Sequence, residues 1–321
     1  MIIKLSDTNT REIAKQLVSV RDSGGQVTTG RVLTLIVVAS EDDDLESIIK
    51  ATHDASREHP SRVLIMVAGD PQGEPRVDAE IRFGGDAGAS EIILMALHGE
   101  VAKHMEAVVT PLLLPDTPIV AWWPSKAPVN PAQHPIGHIA QRRITDALHD
   151  PPPDSIYLRR DHYTPGDSDM SWARITQWRG IVSSVIDEPP HQAVIDARVT
   201  GPALSPSVDL AAGWLADRLG TTITRETTDT TTIPVDEAGE PCIEVTQIDI
   251  TRESSTITID ILDAHTLRVR VPGREPALVA LNRRSRSDCL AEELRHLDPD
   301  RSYAKALRGL SRVQYIDAIA Q

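Results

Sequence analysis

Continuous apolar runs alternate with helical spacing in the first half of the chain. Ile13 and Leu17 recur at helical spacing near the start, and a second helical pattern covers residues 41–52 after a cap at Ser40. The runs RVLTLIVVAS, RVLIMVAGD, EIILMALHG and PIVAWW are apolar on both faces, as buried parallel strands are. The order strand, helix, strand predicts a parallel βαβ unit.

The same half contains four less regular segments. PRVDAEIRF alternates with period 2 and predicts a half-exposed edge strand, and EVAKHMEAVVTPLLLP predicts a helix that breaks near Pro111. IAQRRITDALHD predicts a short helix, and SIYLRR predicts a last strand. Together these elements predict an α/β domain over residues 1–165, with a doubly wound and mainly parallel sheet.

The second half has a different pattern. DHYTPGDSD is typical of a domain boundary, and MSWARITQWRGIVSSVIDEPP predicts one amphipathic helix. QAVIDARV and TTITRET predict strands, with a helix in SVDLAAGWLADRLG between them. CIEVTQIDITR, STITIDIL and TLRVRVPG alternate with period 2 and predict an antiparallel meander. Two closing helices, the second capped by Asp298, complete a predicted α+β domain over residues 166–321.

Composition limits the classes of function. The chain has 321 residues and a formal net charge of -14, which argues against a nucleic-acid partner. No apolar stretch approaches the roughly 18 residues of a membrane span, and the start lacks the features of a secretion signal, so we expect a cytoplasmic protein without a membrane partner. Cys242 and Cys289 have no metal-type spacing, and we expect free thiols.

Catalytic and cofactor motifs are missing from the sequence. It has no G-x-S-x-G, no phosphate-binding P-loop and no H-E-x-x-H. Gly84, Gly85 and Gly88 do not have the G-x-G-x-x-G spacing, and we expect a turn between two strands there. His134 and His138 are separated by Pro135 and Gly137, which disfavours a metal site. We therefore expect no catalytic residue, no metal and no cofactor.

Arginine pairs are the candidates for anion binding. Arg142 with Arg143, and Arg283 with Arg284, could bind a sugar phosphate or a nucleotide through bidentate contacts. The alternative is that these arginines are solvated or paired with carboxylates. We expect QRRITDA to lie near the carboxyl ends of the strands, where open α/β sheets bind ligands.

Two adjacent tryptophans, Trp122 and Trp123, end the apolar run PIVAWW. Neighbouring side chains of a strand point to opposite faces, so one ring is expected to fill the core. The other ring faces the opposite side, either under a helix or at the surface, and is a candidate for an interface contact.

Several segments resemble one family. TPLLLPDTPIVAWWP is followed by QRRITDA and later by DMSWARITQWRG, whose pattern W-x-R-x-T-x-W-R consists of Trp172, Arg174, Thr176, Trp178 and Arg179. In this order, and together with RVLTLIVV and SREHPSRVLIMV, these segments are similar to the glucose-6-phosphate dehydrogenase assembly proteins of the OpcA type. The resemblance covers about residues 10 to 312.

The resemblance implies a non-catalytic cytoplasmic protein that binds glucose-6-phosphate dehydrogenase. Such a protein promotes the active oligomer of the dehydrogenase or its response to substrate, and so supports NADPH supply from the oxidative pentose phosphate pathway. It carries over no catalytic residue. On this basis the predicted partner-binding residues are Trp122, Trp123, Trp172, Arg174, Trp178 and Arg179, and a sensor that uses the arginine pairs is the alternative.

Overall fold

The chain folds into two compact units. The structure is a computed structural model that describes residues 1–22, 30–83, 90–151, 155–189, 191–229, 233, 235 and 244–316. Unit 1 comprises Met1–Pro151, Thr164–Met170 and Arg286–Pro299, and unit 2 comprises Pro152–Tyr163, Ser171–Ser285 and Asp300–Gln321. The domain boundary predicted at residue 165 stays a prediction.

Unit 1 is built on an eight-stranded sheet. Its strands are β1 (Ile2–Leu5), β2 (Leu33–Ser40), β3 (Ser61–Ala68), β4 (Arg76–Phe83), β5 (Ser90–His98), β6 (Ile119–Trp122), β7 (Arg142–Thr145) and β8 (Asp167–Asp169). Their order is β1-β4-β5-β3-β2-β6-β7-β8. All neighbours from β5 to β8 are parallel, whereas β1 and β4 pair antiparallel at one side. The predicted doubly wound, mainly parallel sheet is confirmed.

Unit 2 is built on a seven-stranded mixed sheet. Its strands are β9 (Val194–Pro202), β10 (Ile223–Thr228), β11 (Gln247–Arg252), β12 (Thr256–Asp263), β13 (Thr266–Arg270), β14 (Ala277–Ala280) and β15 (Val313–Ile316), in the order β14-β13-β12-β11-β9-β10-β15. The predicted meander is present as β11, β12 and β13, which pair antiparallel in succession.

Helices flank both sheets. Those of unit 1 are α1 (Thr10–Asp22), α2 (Leu45–Glu58), α3 (Met105–Val109), α4 (Pro135–Ile139) and α9 (Arg286–Arg295). Those mainly in unit 2 are α5 (Ser155–Asp161), α6 (Met170–Arg174), α7 (Thr176–Ile186), α8 (Pro206–Leu219) and α10 (Arg301–Gly309). Short 3₁₀ turns cover Gly99–Lys103, Thr110–Leu112, Pro131–Gln133 and Leu310–Arg312. None of the helices in the described ranges is long and apolar enough to cross a membrane.

Two segments have the opposite secondary structure to the one predicted. IAQRRITDALHD contains the buried strand β7 instead of a helix, and both of its arginines can be buried there because each forms an ion pair with a carboxylate. SIYLRR forms helix α5 instead of a strand. Ile156 and Arg159 are both buried at a spacing of three residues, which places them on one helical face.

Smaller predictions are also corrected. β4 is an inner strand because β1 covers its outer side, and Asp44, not Ser40, caps α2 by accepting from the Ser47 N–H. Asp300, not Asp298, caps α10. The helix predicted over the tryptophan motif is interrupted at Ile175 and forms α6 and α7. Gly84, Gly85, Gly88 and Cys242 lie outside the described residues, whereas Cys289 is buried and is not part of a disulfide.

Candidate partner-binding site

Trp122 and Trp123 lie at the carboxyl end of β6. Trp122 occupies the sheet between Val37 of β2 and Ile144 of β7. Trp123 belongs to the apolar core of unit 1 that also includes Ile136, so the two rings are divided between the faces as strand geometry requires. Their exposed fractions are 0% and 2%. Neither ring reaches the surface, which excludes the surface alternative for the second ring, and the predicted role of the pair in partner binding would have to be indirect.

His134 packs against the second tryptophan. Its ring lies edge-on to Trp123, with ring centroids 5.4 Å apart, and its Nδ1 accepts a hydrogen bond of 3.3 Å from the Ile136 N–H at the start of α4. Burial lowers the pKa of His134 below its ordinary value. The neutral ring fits this place because a protonated Nδ1 could not accept the capping hydrogen bond.

The tryptophan motif of α6 and α7 folds onto itself within unit 2. The Arg179 guanidinium carbon lies 3.5 Å from the centroid of the Trp172 ring, a cation–π contact of about 0.5–2 kcal/mol. Arg179 also donates to Thr176 Oγ1 at 2.7 Å. Trp172 Nε1 donates to Asp300 Oδ2 at 2.7 Å, and its ring contacts Tyr303 of α10. Three residues of the motif therefore form one cluster that ties α6 and α7 to the start of α10.

The other two residues of the motif lie differently. Trp178 is buried in α7, and its indole N–H has no hydrogen-bond partner among the described residues. Arg174 is half-buried at the end of α6. The motif is thus largely internal, and the partner-binding role of its residues stays a prediction.

Arg142 and Arg143 open β7, and both are buried. Arg142 pairs with Glu293 of α9 and donates to the Asp298 carbonyl at 3.1 Å. Arg143 donates to Asp167 Oδ1 at 2.5 Å and to the Ala140 and Pro165 carbonyls at 2.9 and 2.7 Å. Burial raises the pKa of Glu293, and the Arg142 charge opposes that rise. Of the two interpretations of these arginines, the one in which carboxylates neutralise them describes this pair.

QRRITDA spans the whole of β7, so its last residues reach the carboxyl end of the parallel strands but its arginines do not. Arg142 is paired in register with Val120 of β6, so it lies at the amino end of the parallel strands and not at their carboxyl end. In the second arginine pair, Arg284 donates to the Ala173 carbonyl of α6 at 2.8 Å, and Arg283 is exposed. Anion binding by Arg283 and Arg284 stays a prediction.

The carboxyl ends of β2 and β6 carry a polar network that the sequence pattern does not predict. β2 is followed by the acidic loop, defined as Ser40 to Asp44, and β6 is followed by Ser125 and Lys126. Ser125 Oγ donates to Asp43 Oδ1 at 2.6 Å. Lys126 Nζ donates to Asp42 Oδ2 at 2.5 Å and to Ser40 Oγ at 3.0 Å. Four consecutive acids directly after a buried strand could have indicated a polar site in the sequence. Their partner Ser125 could not be predicted, because it lies 82 residues away from Asp43.

The two sheets define the class of protein. Unit 1 has the strand order of doubly wound dinucleotide-binding folds, and unit 2 is an α+β unit with a mixed sheet. Two family models match the chain. One describes the N-terminal domain of a "Glucose-6-phosphate dehydrogenase subunit" and matches residues 52–161, and the other describes the C-terminal domain of the same protein and matches residues 165–307. The chain belongs to the glucose-6-phosphate dehydrogenase assembly protein family of the OpcA type.

Individual proteins do not indicate a function for this chain. None of the curated proteins compared with the chain matches it. Among solved structures, an oxidoreductase from Sinorhizobium meliloti is 9% identical, with a TM-score of 0.43 over 88% of this chain and 95% of the other. Levoglucosan dehydrogenase in complex with NADH and L-sorbose is 8% identical, with a TM-score of 0.39 over 87% and 88%. An oxidoreductase from Pseudomonas syringae is 11% identical, with a TM-score of 0.37 over 89% and 92%. Likenesses this remote carry no functional argument.

Proposed function

We propose that this protein binds glucose-6-phosphate dehydrogenase and, without catalysing a reaction itself, promotes the active oligomer of that enzyme or its response to substrate. The observation that carries the proposal is the succession of two models of one family along the chain, over residues 52–161 and 165–307. In the cell this activity would support NADPH supply from the oxidative pentose phosphate pathway, and we place the protein in the cytoplasm.

The sequence supports a non-catalytic role. It lacks the common nucleophile, P-loop and metalloprotease motifs. Within the described ranges, no group of three or more histidine, cysteine or acidic side chains could hold a metal ion. Activation of another enzyme needs none of these features, since it requires only a surface that favours one state of the partner.

Co-purification and kinetics test the proposal directly. Mixed with its dehydrogenase, the chain should co-elute from gel filtration and should change the substrate dependence or the oligomeric state of that enzyme. Bovine serum albumin at equal concentration serves as the control for non-specific protein effects. Separate elution together with unchanged kinetics and an unchanged oligomer would contradict the proposal.

The dehydrogenase must dock on exposed residues, and the predicted tryptophans are buried. We therefore propose as its docking surface the β15 edge of unit 2, defined as Tyr157, Arg160, Tyr315 and Ile316. Tyr315 and Ile316 are 48% and 43% exposed, and β15 is the last strand of its sheet among the described strands. The Tyr157 and Tyr315 ring centroids are 6.3 Å apart, and Arg160 lies over the Tyr157 ring. Aromatic residues with arginine beside an open strand edge have the composition of an interface hot spot.

Opposite edges of the same sheet provide a matched pair of variants. Tyr315→Asp should weaken binding of the dehydrogenase at least tenfold, because it places a charge in the exposed aromatic pair with Tyr157. Leu278→Asp on β14, where the side chain is 65% exposed, should change it less than twofold. Binding is measured by surface plasmon resonance after circular dichroism has shown that both variants are folded. Equal affinities of both variants and the wild type would exclude the β15 edge.

A further inference from the structure

The strand order of unit 1 implies a dinucleotide. In an open sheet with the order β5-β3-β2-β6-β7-β8, the ligand lies in the crevice outside the carboxyl ends of the two central strands, where the order reverses. Here these strands are β2 and β6, because the chain continues from β2 to β3 on one side and from β6 to β7 on the other. A dinucleotide would therefore contact the loops that follow Ser40 and Trp122.

The first of these loops does not fit a pyrophosphate. A pyrophosphate needs glycines that let the backbone approach and free N–H groups at the start of the next helix. Here the loop reads SEDDD, without glycine, and its own carboxylates accept from two backbone N–H groups, one at the end of β2 and one in the first turn of α2. Asp43 Oδ2 accepts from the Ser40 N–H at 2.7 Å, and Asp44 Oδ1 accepts from the Ser47 N–H at 3.1 Å. Carboxylates thus stand where phosphates would, and they repel a second anion.

The second loop closes over the first. Lys126 and Ser125 bind Asp42 and Asp43, which joins the chain after β6 to the chain after β2 across the point where a dinucleotide would enter. The ion pair lowers the pKa of Asp42 and raises the pKa of Lys126, so both groups are charged at neutral pH. The Lys126 backbone adopts a φ of 46°, which is unfavourable for a residue other than glycine and needs support from its surroundings.

The ribose side of the crevice fits a dinucleotide only in part. Asp70 follows β3, where dinucleotide folds place the acid that binds a ribose hydroxyl, and this residue fits. Its Oδ1, however, accepts from the Gln72 N–H at 2.8 Å. Next to it, Glu41 Oε1 lies 3.0 Å from the place of a Cβ on Gly69, so the acidic loop also covers the end of β3. One position of the dinucleotide site is present, and the phosphate positions are not.

We infer that the chain's own carboxylates, with Lys126 paired to them, do not leave a place for a pyrophosphate in the crevice of unit 1, and that the crevice takes up neither NADP⁺ nor NADPH. The fold of a dinucleotide-binding unit is retained, but the site it normally carries is closed. It follows that any effect of this protein on a dehydrogenase does not pass through a dinucleotide held in this crevice. The inference concerns the isolated chain, so a failure of the proposed function would leave it standing.

Titration of the isolated full-length chain with NADPH and NADP⁺ tests the inference. We expect no saturable binding up to about 1 mM by NADPH fluorescence or by calorimetry, with the partner dehydrogenase as the positive control. If binding occurs, hydrogen exchange with and without NADPH locates it. Protection at residues 40–44 or 122–126 would overturn the inference, whereas binding without protection there supports a closed crevice.

A second experiment tests the ion pair between Lys126 and Asp42. Lys126→Met removes the ion pair with Asp42, and we expect the amides of residues 40–44 to exchange about two- to fivefold faster, as befits an exposed pair. Lys103→Met is the matched control, since it removes an exposed pair with Glu100 elsewhere in unit 1. Unchanged exchange of the acidic loop in Lys126→Met would overturn the conclusion that Lys126 holds this loop in place.

Discussion

The adjacent tryptophans at the end of β6 stabilise the folded protein because they are buried on the two faces of one sheet. We therefore expect Trp122→Ala and Trp123→Ala each to lower the free energy of unfolding by about 3–5 kcal/mol. Phenylalanine at either position should cost less, because it leaves a smaller cavity. Urea unfolding measures the loss, and activation of the dehydrogenase is assayed at a temperature where each variant is folded. A variant that is as stable as the wild type but no longer activates would contradict this assignment.

His134 predicts a dependence of stability on pH. Burial lowers its pKa in the folded state below the ordinary value of 6.5, so the unfolded chain binds the proton more readily. The stability that His134 contributes is complete above pH 6.5 and is lost as the pH falls through the folded-state pKa. Between pH 7.5 and 5.5 the wild type should lose more free energy of unfolding than His134→Asn, which keeps a capping acceptor but does not titrate. Equal losses in urea titrations would contradict the prediction.

At the scale of elements, α8 and α10 pack closely because glycines face each other. A Cβ on Gly309 would lie 1.9 Å from the Gly213 carbonyl oxygen, and a Cβ on Gly213 would lie 2.4 Å from the Ala306 carbonyl oxygen. Neither backbone atom can move without shifting a helix. The glycines are therefore required for the contact, although glycine is a poor helix former.

This contact predicts opposite effects of one substitution at two sites. Gly309→Ala should destabilise unit 2 by about 1–3 kcal/mol through overpacking, despite the higher helix propensity of alanine. Gly180→Ala in α7 should stabilise it by about 0.5–1 kcal/mol, since a Cβ there meets nothing within 4 Å. Urea midpoints of the two variants give the comparison. A Gly309→Ala protein as stable as the wild type would show that the helices can separate at little cost.

At the scale of the whole molecule, the ion pairs of unit 1 join segments that are distant in sequence. Arg143 pairs with Asp167, and Arg142 pairs with Glu293 on α9. A fragment that ends at residue 165 would lack both carboxylates. Because breaking a buried pair costs about 3–5 kcal/mol, the two losses approach the whole stability of a typical domain.

We therefore expect the fragment of residues 1–165 to show no cooperative unfolding transition in urea. The same fragment with Arg142→Met and Arg143→Met should regain part of the transition, because no unpaired charge is then buried. A wild-type fragment as stable as the full chain would disprove the requirement for both pairs.

Periodicity in the sequence determined much of this fold. The continuous apolar runs became β2, β3, β5 and β6, and the alternating runs became the meander, because burial on two faces or on one is recorded directly in residue order. The motif order also determined the family. The capping of α8 shows the same local logic, since Ser205 accepts from the Val208 N–H and Gly220 ends the helix with a positive φ.

Only the tertiary structure decided what the polar residues do. The sequence left Arg142 and Arg143 as surface or ligand-binding residues, because the carboxylates that pair with them lie 151 and 24 positions away. The second tryptophan was a candidate for an interface because the residues that bury it, His134 and the segment before α4, follow an irregular loop whose path the sequence does not predict. The closure of the crevice depends on Lys126 meeting Asp42 across 84 residues. Local pattern encodes which face of an element is buried, whereas the partner of a buried charge is fixed only when distant segments pack together.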